Sequence, residues 1–380
     1  MDFEKIDNEV RKALELIRKG YQREYVMEKI KPIEFSKEKI YEMAKCRLKA
    51  KEKFGEMAEK LFFDGEGLRY STPPVVAEYR AKRLKCKSIA DISCGVGIQL
   101  SYFAKFSKAI GVEIDGDRVK MAKLNAMVFG VDVEIIQGDA LSNEIFEKID
   151  ADCIFSDPSR KEKEEKRTFE TLFPNPSKVY ELYSKKTGNI AFELPPQMKR
   201  EEIKLQGEKE YTSLNFRLNR LALYCGDLAT CNISAISLPS EERITNEDEK
   251  IEIGKGEAMD LLYEVDNTII KANLLPNLIG KLSFNGYILH EDKKRVLLTS
   301  SNDYKSAFLR KYEIVKICRF NLSEINKELK KLNAKKATLR FSIEPKEYWK
   351  IRNKIEEGLK GEKHYYIFKV NDNAIISSPS

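Results

Sequence analysis

The residues equipped for chemistry sit at the ends of four short apolar runs. The first, Ile89-Ala90-Asp91-Ile92-Ser93-Cys94-Gly95-Val96-Gly97, passes from a strand pattern into a two-glycine turn and then a helix. Glycines there let a ligand approach the backbone closely and accept positive φ, and the start of a helix favours negative charge. A Gly-x-Gly pair is a weak sign alone, and the third glycine of the dinucleotide fingerprint is absent, since Leu100 follows Gln99. The second run ends in Gly111-Val112-Glu113-Ile114-Asp115, where the Glu113 carboxylate can accept both hydroxyls of a ribose. The third ends in Gln137-Gly138-Asp139-Ala140, with Asp139 suited to accept from the amine of an adenine. The fourth ends in Phe155-Ser156-Asp157-Pro158-Ser159-Arg160. Four polar endings in order, at carboxyl ends of candidate parallel strands, describe a nucleotide-type ligand site.

The elements that must carry these residues are short β-rich runs alternating with helical ones. The runs are Ser88–Ile92, Ala109–Ile114, Val131–Ile136, Asp152–Ser156, Asn189–Leu194, Leu221–Cys225 and Cys231–Leu238, and Asp117–Phe129 is helical between two of them. This alternation predicts an α/β fold, a parallel sheet wrapped by helices over residues 71–240. The last two runs, with their short connection, predict an antiparallel hairpin at one edge. Residues 1–70 read as a helical region. Ile6, Val10, Leu14 and Ile17 recur at helical spacing, and Ser36 caps a second helix running to about Phe62, with Lys45, Lys49, Lys51 and Lys53 facing outward. Residues 241–256 are an acidic linker. Residues 257–380 follow a β-α-β-α-β order at Ile314–Phe320, Leu322–Leu332, Ala337–Ile343, Lys346–Leu359 and Tyr365–Val370.

Composition narrows the classes. At roughly 100–200 residues per domain, the length suggests two or three domains. A chain with 42% hydrophobic and 34% charged residues is not a mostly disordered one. No apolar stretch approaches the ~18–20 residues of a membrane span, and Met1-Asp2-Phe3-Glu4-Lys5 shows no secretory signal. Seven scattered cysteines and only two histidines, His290 and His364, form no zinc or disulfide pattern, so no metal and a reducing cytoplasmic setting are expected. The net charge of +7 is uneven: residues 257–380 carry 23 basic and 16 acidic side chains. Within them, residues 301–360 hold 16 basic and eight acidic ones. Lys330, Lys331, Lys335, Lys336 and Arg340 crowd near the end of a predicted helix, a candidate phosphate-facing surface.

The motif order resembles that of class I S-adenosylmethionine-dependent methyltransferases across about residues 70–240. Asp91-x-x-Cys94-Gly95-x-Gly97 matches their first motif, Glu113 the ribose acid, Asp139 the adenine-side acid, and Asp157-Pro158-Ser159-Arg160 the fourth, catalytic motif. Leu68-Arg69-Tyr70-Ser71-Thr72-Pro73-Pro74 and Lys120-Met121-Ala122-Lys123-Leu124-Asn125-Ala126 look like the trimethylguanosine synthase branch, whose Ser-Pro-Pro-Trp catalytic motif this chain lacks. Asp157-Pro158-Ser159-Arg160-Lys161 is instead similar to the Asp-Pro-Ala-Arg-Arg motif of a prokaryotic methyltransferase family with a C-terminal THUMP-like domain. Tyr263-Glu264-Val265-Asp266-Asn267 resembles the entry to that domain.

The resemblance implies a Rossmann-like seven-stranded methyltransferase sheet with an N-terminal helical region and a small C-terminal α/β, THUMP-like, RNA-binding domain. It implies S-adenosyl-L-methionine as cofactor, held by Thr72, Asp91, Gly95, Gly97, Glu113, Asp139 and Ala140, with Ser71 and Thr72 towards the methionine carboxylate. It implies that Asp157 and the Pro158 carbonyl aim an acceptor nitrogen. Arg160 stands where relatives place an aromatic ring and is suited to stacking or phosphate pairing. Phe155, Phe169 and Phe173 are alternative sources of a ring. Cys94 reads as a packing residue, which favours nitrogen over carbon as acceptor. The expected substrate is structured RNA, tRNA or rRNA. A protein nitrogen is the first alternative, and a non-catalytic RNA-binding or assembly role the second.

Overall fold

The computed structural model describes residues 2–160 and 168–379, with the side chain of Arg160 and all of Lys161 outside them. The chain forms two units, Met1–Lys209 with Arg220–Asn232, and Glu210–Asn219 with Ile233–Ser380.

The first unit is built on five parallel strands: β1 (Ser88–Asp91), β2 (Lys108–Glu113), β3 (Val133–Gln137), β4 (Cys153–Ser156) and β5 (Ile190–Leu194). Their spatial order is β3-β2-β1-β4-β5. The chain therefore builds outward from β1 in one direction, returns, and builds outward in the other. The crevice beyond the carboxyl ends of β1 and β4 is the switch point where such sheets take ligands. Ile89, Ala90, Ile154, Phe155, Ala191 and Phe192 are all buried, as strands covered on both faces require. Antiparallel to β5 runs Leu218–Tyr224, with Leu194 opposite Leu221. That register delivers Arg220 to the carboxyl end of β5.

The predicted edge hairpin between the two late runs does not form. Leu218–Tyr224 instead turns back on Glu208–Leu214 through Asn215 and Phe216, both at positive φ, with the Leu214 N–H donating to the Arg217 carbonyl at 2.8 Å. Ile233–Leu238 pairs with Glu242–Thr245. The strand Glu208–Leu214 was hidden because its Glu-Lys-Glu-Tyr-Thr-Ser-Leu run has no apolar alternation.

The N-terminal helices fasten onto the glycine turn. Helix Phe3–Arg18 is capped by Asp2 and helix Lys37–Phe54 by Ser36. The second stops at Gly55, where φ is +56, about eight residues before the predicted end. Arg47, on its buried face, pairs with Asp7 at 2.7 Å and donates to the Leu61 carbonyl at 3.0 Å. Asn125, fully buried, bonds both backbone groups of Phe62 at 2.8 and 2.9 Å, and donates to the Val96 carbonyl at 2.8 Å. One amide thus ties the segment after the helices to the turn at the end of β1.

The second unit contains a seven-stranded mixed sheet: β6 (Leu261–Val265), β7 (Tyr287–Glu291), β8 (Val296–Ser300), β9 (Leu309–Arg319), β10 (Ala334–Arg340), β11 (Lys363–Val370) and β12 (Asn373–Pro379). The order is β7-β8-β6-β9-β12-β11-β10, with only β10 and β11 parallel. Helices Leu322–Lys331 and Pro345–Glu356 cover one face through Ile325, Leu329 and Ile355 against Ala337, Leu339, Tyr365, Ile367 and Ile376. The β-α-β-α-β order over 309–370 is as read from the sequence, but β12 inserts between β9 and β11.

Asn125→Ala strands the Phe62 backbone groups and the Val96 carbonyl in the core. Each unpaired buried polar group costs about 1–3 kcal/mol, so urea denaturation should show a loss of several kcal/mol. A midpoint within error of wild type would detach this amide from the stability of the unit.

Candidate active site

A cavity of about 700 Å³ lies in the first unit, lined by residues that follow β1, β2, β3, β4 and β5 and by the segment 66–72. Thr72, Asp91, Gly95, Glu113, Asp139, Ala140, Asp157 and Pro158 all contribute to its wall. Gly97 does not line it. Its role is packing: φ is +77, and a Cβ there would come within 2.8 Å of the Ala122 Cβ. Gly95 is different. Its φ is +55, and a Cβ would meet nothing within 4 Å. It is a cradle on the cavity wall that a side chain would fill.

The carboxylates are held by backbone donors. Gly95 N–H reaches Glu113 Oε2 at 3.0 Å and Asp115 N–H reaches Oε1 at 2.9 Å, which anchors the Glu113 side chain beside the glycine turn. Leu141 N–H donates to Asp139 Oδ1 at 2.9 Å, and the Ala140 carbonyl accepts from the Tyr183 hydroxyl at 2.8 Å. Thr72 is buried between helices Gly65–Tyr70 and Pro74–Arg83. Lys53 fixes the first of these helices at its end, donating to the Leu68 carbonyl at 2.9 Å and the Arg69 carbonyl at 3.3 Å. Burial and the nearby Arg220 push its ammonium down to about 8. Lys53 is therefore turned inward, a correction to its place among the outward cations. Lys45, Lys49 and Lys51 are exposed.

The floor of the cavity is a compensated charge cluster. Asp91 is buried, and burial pushes its carboxyl up to about 8, with Ser93 N–H and Arg80 opposing the rise. Burial also raises the Asp157 carboxyl, while Arg220 and Arg80 pull it back. Asp157 N–H donates to Ser93 Oγ at 2.7 Å, joining the ends of β4 and β1. Arg80 pairs with Glu193, donates to Gln99 Oε1 at 3.0 Å and lies 5.0 Å from the centre of the Phe155 ring. Arg220 Nε stands 3.7 Å from Glu193 Oε1. Glu193 is thus clamped between two arginines.

Among the three phenylalanines, Phe155 and Phe169 are buried. Phe173 is 37% exposed and lines the cavity on the short strand Leu172–Phe173, paired with Ser159–Arg160. The Arg160 side chain lies outside the described residues. Cys94 is buried and its thiol is pushed well above the usual range by burial, consistent with packing.

Sequence reasoning missed Arg80 and Arg220. Arg80 had a signal, since it falls on the helical stripe of Val76, Ala77 and Ala81, where an arginine needs a buried partner. Arg220 had none, because its position depends on the register of an antiparallel strand.

Lys330 and Lys331 end helix Leu322–Lys331, and Lys331 pairs with Glu328 at 2.6 Å. Lys335 and Lys336 are exposed on β10. Arg340 pairs with Glu264. Among the described residues no group of three or more His, Cys, Asp or Glu side chains could hold a metal, and no helix is long and apolar enough to cross a membrane.

A family model described as RNA cap guanine-N2 methyltransferase matches residues 86–255. An uncharacterised S-adenosylmethionine-dependent methyltransferase of Mycobacterium tuberculosis is 25% identical over 249 residues, 63% of this chain and 68% of that protein. The crystal structure of a protein assigned as a methyltransferase from Porphyromonas gingivalis W83 superimposes with a TM-score of 0.78 at 20% identity, over 100% of this chain and 99% of that one. The class common to this fold, this cavity and these relatives is the S-adenosylmethionine-dependent methyltransferase.

Two outcomes follow from the geometry. Glu113→Ala removes a charge-assisted acceptor worth on the order of 1.5–3 kcal/mol, and S-adenosylmethionine affinity should fall roughly ten- to hundredfold by calorimetry. Unchanged affinity in the folded variant would remove Glu113 from the cofactor site. Asp91 has a raised carboxyl in the folded protein, so its contribution to stability is full below its unfolded value near 3.8 and is lost as pH rises through about 8. Asp91→Asn should then raise the melting temperature of the cofactor-free protein at pH 8.5 relative to its effect at pH 5. Equal effects at both pH values would show that Asp91 does not titrate between them.

Proposed function

We propose that this chain transfers a methyl group from S-adenosylmethionine to a base nitrogen in structured RNA, tRNA or rRNA, with the exocyclic amine of guanine as the preferred acceptor. The observation that carries the proposal is the sharing of one cavity by Gly95, Glu113 and Asp139 on one side and Asp157-Pro158 on the other. The guanine assignment draws on the family model matched over residues 86–255.

S-adenosylmethionine is the cofactor, and it supplies an electrophilic methyl on a sulfonium. Glu113 binds its ribose hydroxyls, Asp139 its adenine amine and Thr72 its carboxylate, while the open space at Gly95 admits it against the backbone. Asp157 and the Pro158 carbonyl accept from the target amine and aim its lone pair, since an in-line displacement depends chiefly on positioning. Asp157 takes the proton that the nitrogen loses. Arg80 and Arg220 pull the Asp157 carboxyl down against the burial that raises it. Phe173 stacks on the base.

The finer architecture belongs to the same proposal. The order β3-β2-β1-β4-β5 with an antiparallel neighbour supports the seven-stranded methyltransferase layout for residues 71–240. The run from Asp157 to Arg160, with Tyr263-Glu264-Val265-Asp266, supports membership of the Asp-Pro-Ala-Arg-Arg family and a THUMP-like, RNA-contacting 257–380 in which Lys330, Lys331, Lys335, Lys336 and Arg340 meet phosphates.

Asp157→Ala should bind the cofactor as wild type does and lose ~10²–10⁴-fold in transfer rate. The measurement is transfer of labelled methyl from the cofactor to separate total-RNA and protein fractions. Wild-type rates for the variant would refute the role of Asp157, and label in the protein fraction alone would replace RNA as substrate.

A further inference from the structure

The face of the second unit's sheet opposite helices Leu322–Lys331 and Pro345–Glu356 carries an aromatic row. Tyr365 and Ile367 point into the helix-covered cluster, so strand alternation puts His364, Tyr366 and Phe368 on the other face. The His364 and Tyr366 rings stack with centroids 5.0 Å apart and planes at 25°. Tyr312 on β9 meets both Tyr366 and Phe368 at 5.0 Å. The row grades from buried to open: Phe368 and Tyr312 are buried, Tyr366 is half-buried and His364 is exposed. The outermost ring is held in place, with His364 Nε2 at 2.8 Å from Thr338 Oγ1.

The cations nearest to this row stand on β10, parallel to β11. Lys336 faces His364 in the register, Thr338 faces Tyr366, and Arg340 faces Phe368. Lys336 is exposed, and β10 has Lys335, Lys336 and Arg340 but no acidic residue. Lysines on an edge strand also discourage pairing with another strand. That function needs no pinned aromatic pair beside them. A peptide adding to this edge would want the free N–H groups of β10, yet the Ala337 N–H is already taken by Glu356 Oε1 at 2.9 Å. A strand-adding protein partner is therefore disfavoured, while flat rings flanked by cations suit unpaired bases and their phosphates.

We propose that this face is a stacking platform for single-stranded RNA, in which His364 and Tyr366 stack on bases and Lys336 contacts a phosphate. Its occupant rests on the RNA reading above, but its location is independent of the catalytic cavity. Because the platform reads ring faces, it accepts different bases and rejects a continuous duplex, whose bases are already stacked.

The test uses the full chain and fluorescently labelled oligouridine and oligoadenosine, with anisotropy as readout. His364→Ala and Tyr366→Ala should each weaken binding roughly ten- to hundredfold, and Tyr366→Phe should preserve it. Lys336→Gln should reduce the log–log salt slope by about 0.7. Tyr366 is half-buried, so the exposed His364→Ala and Lys336→Gln keep the test valid if Tyr366→Ala misfolds. Wild-type affinity in His364→Ala, or equal competition by duplex RNA, would overturn the platform, as would a wild-type chain that binds neither oligomer. Methyl transfer to total RNA is scored separately. Loss of oligomer binding in the variants together with a wild-type chain that labels no RNA would uphold the platform and reject the catalytic proposal.

Discussion

Everything in the cavity depends on charge compensation where the parallel sheet changes direction. Strand ends at a switch point present polar groups inward, and here they present carboxylates: Asp91 after β1, Asp157 after β4 and Glu193 in β5. Placed there alone, three acids would be driven to protonate by burial and by one another. Arg80 and Arg220 oppose that rise at Asp157 without abolishing it. They come from opposite directions, Arg80 on a helix before β1 and Arg220 on the antiparallel strand beyond β5. Both converge on Glu193. Because Glu193 balances them, the arginines can stand close to Asp157 without the cavity becoming a simple cation site. Asp91 lies at the margin of this balance and keeps a carboxyl raised to about 8.

Why so many side chains must hold so few becomes clear from the turn at Gly95. A backbone that a ligand can approach has no side chain to brace it. The bracing comes from elsewhere: Glu113 from β2 through the Gly95 N–H, Asn125 from the helix after β2 through the Val96 carbonyl, and Ala122 through its contact with Gly97. Asn125 passes the constraint on to Phe62, and hence to the N-terminal helices packed by Arg47 and Asp7. A helical region that touches no chemistry in the sequence is in this way part of what braces the site.

What the sequence revealed and what it hid divide along a physical line. Glu113, Asp139 and Asp157 were legible because each follows an apolar run within a few residues, so local pattern alone places it at a strand end. The helix cap Ser36 was legible in the same local way. Arg220 was hidden because it enters through pairing between strands remote in sequence. The strands Glu208–Leu214 and β12 were hidden because they lack apolar alternation at their outward positions. Among the phenylalanines, only the pairing of Leu172–Phe173 with Ser159–Arg160 singles out Phe173, and no periodicity reports that pairing. Of the five cations close in sequence near residue 330, Lys331 pairs with Glu328 and Arg340 with Glu264, contacts that a count of charges does not report.

The inward turn of Lys53 shows how the same logic governs the rim. A lysine on the last turn of a helix is ordinarily a solvated cation that favours its own helix dipole. Here it reaches across to the carbonyls of Leu68 and Arg69, which end a different and very short helix, Gly65–Tyr70. Six residues cannot sustain a helix by propensity, because nucleation is costly and few hydrogen bonds repay it. The cation satisfies carbonyls that the helix leaves open, and Asp64 does the same for the Gly67 N–H at the other end. Ser71 and Thr72 follow immediately, so the position of Thr72 at the cavity wall depends on a lysine nineteen residues earlier. Burial and Arg220 lower the proton affinity of that lysine. The segment 65–72 is thus held by a charge whose persistence is itself conditional on pH.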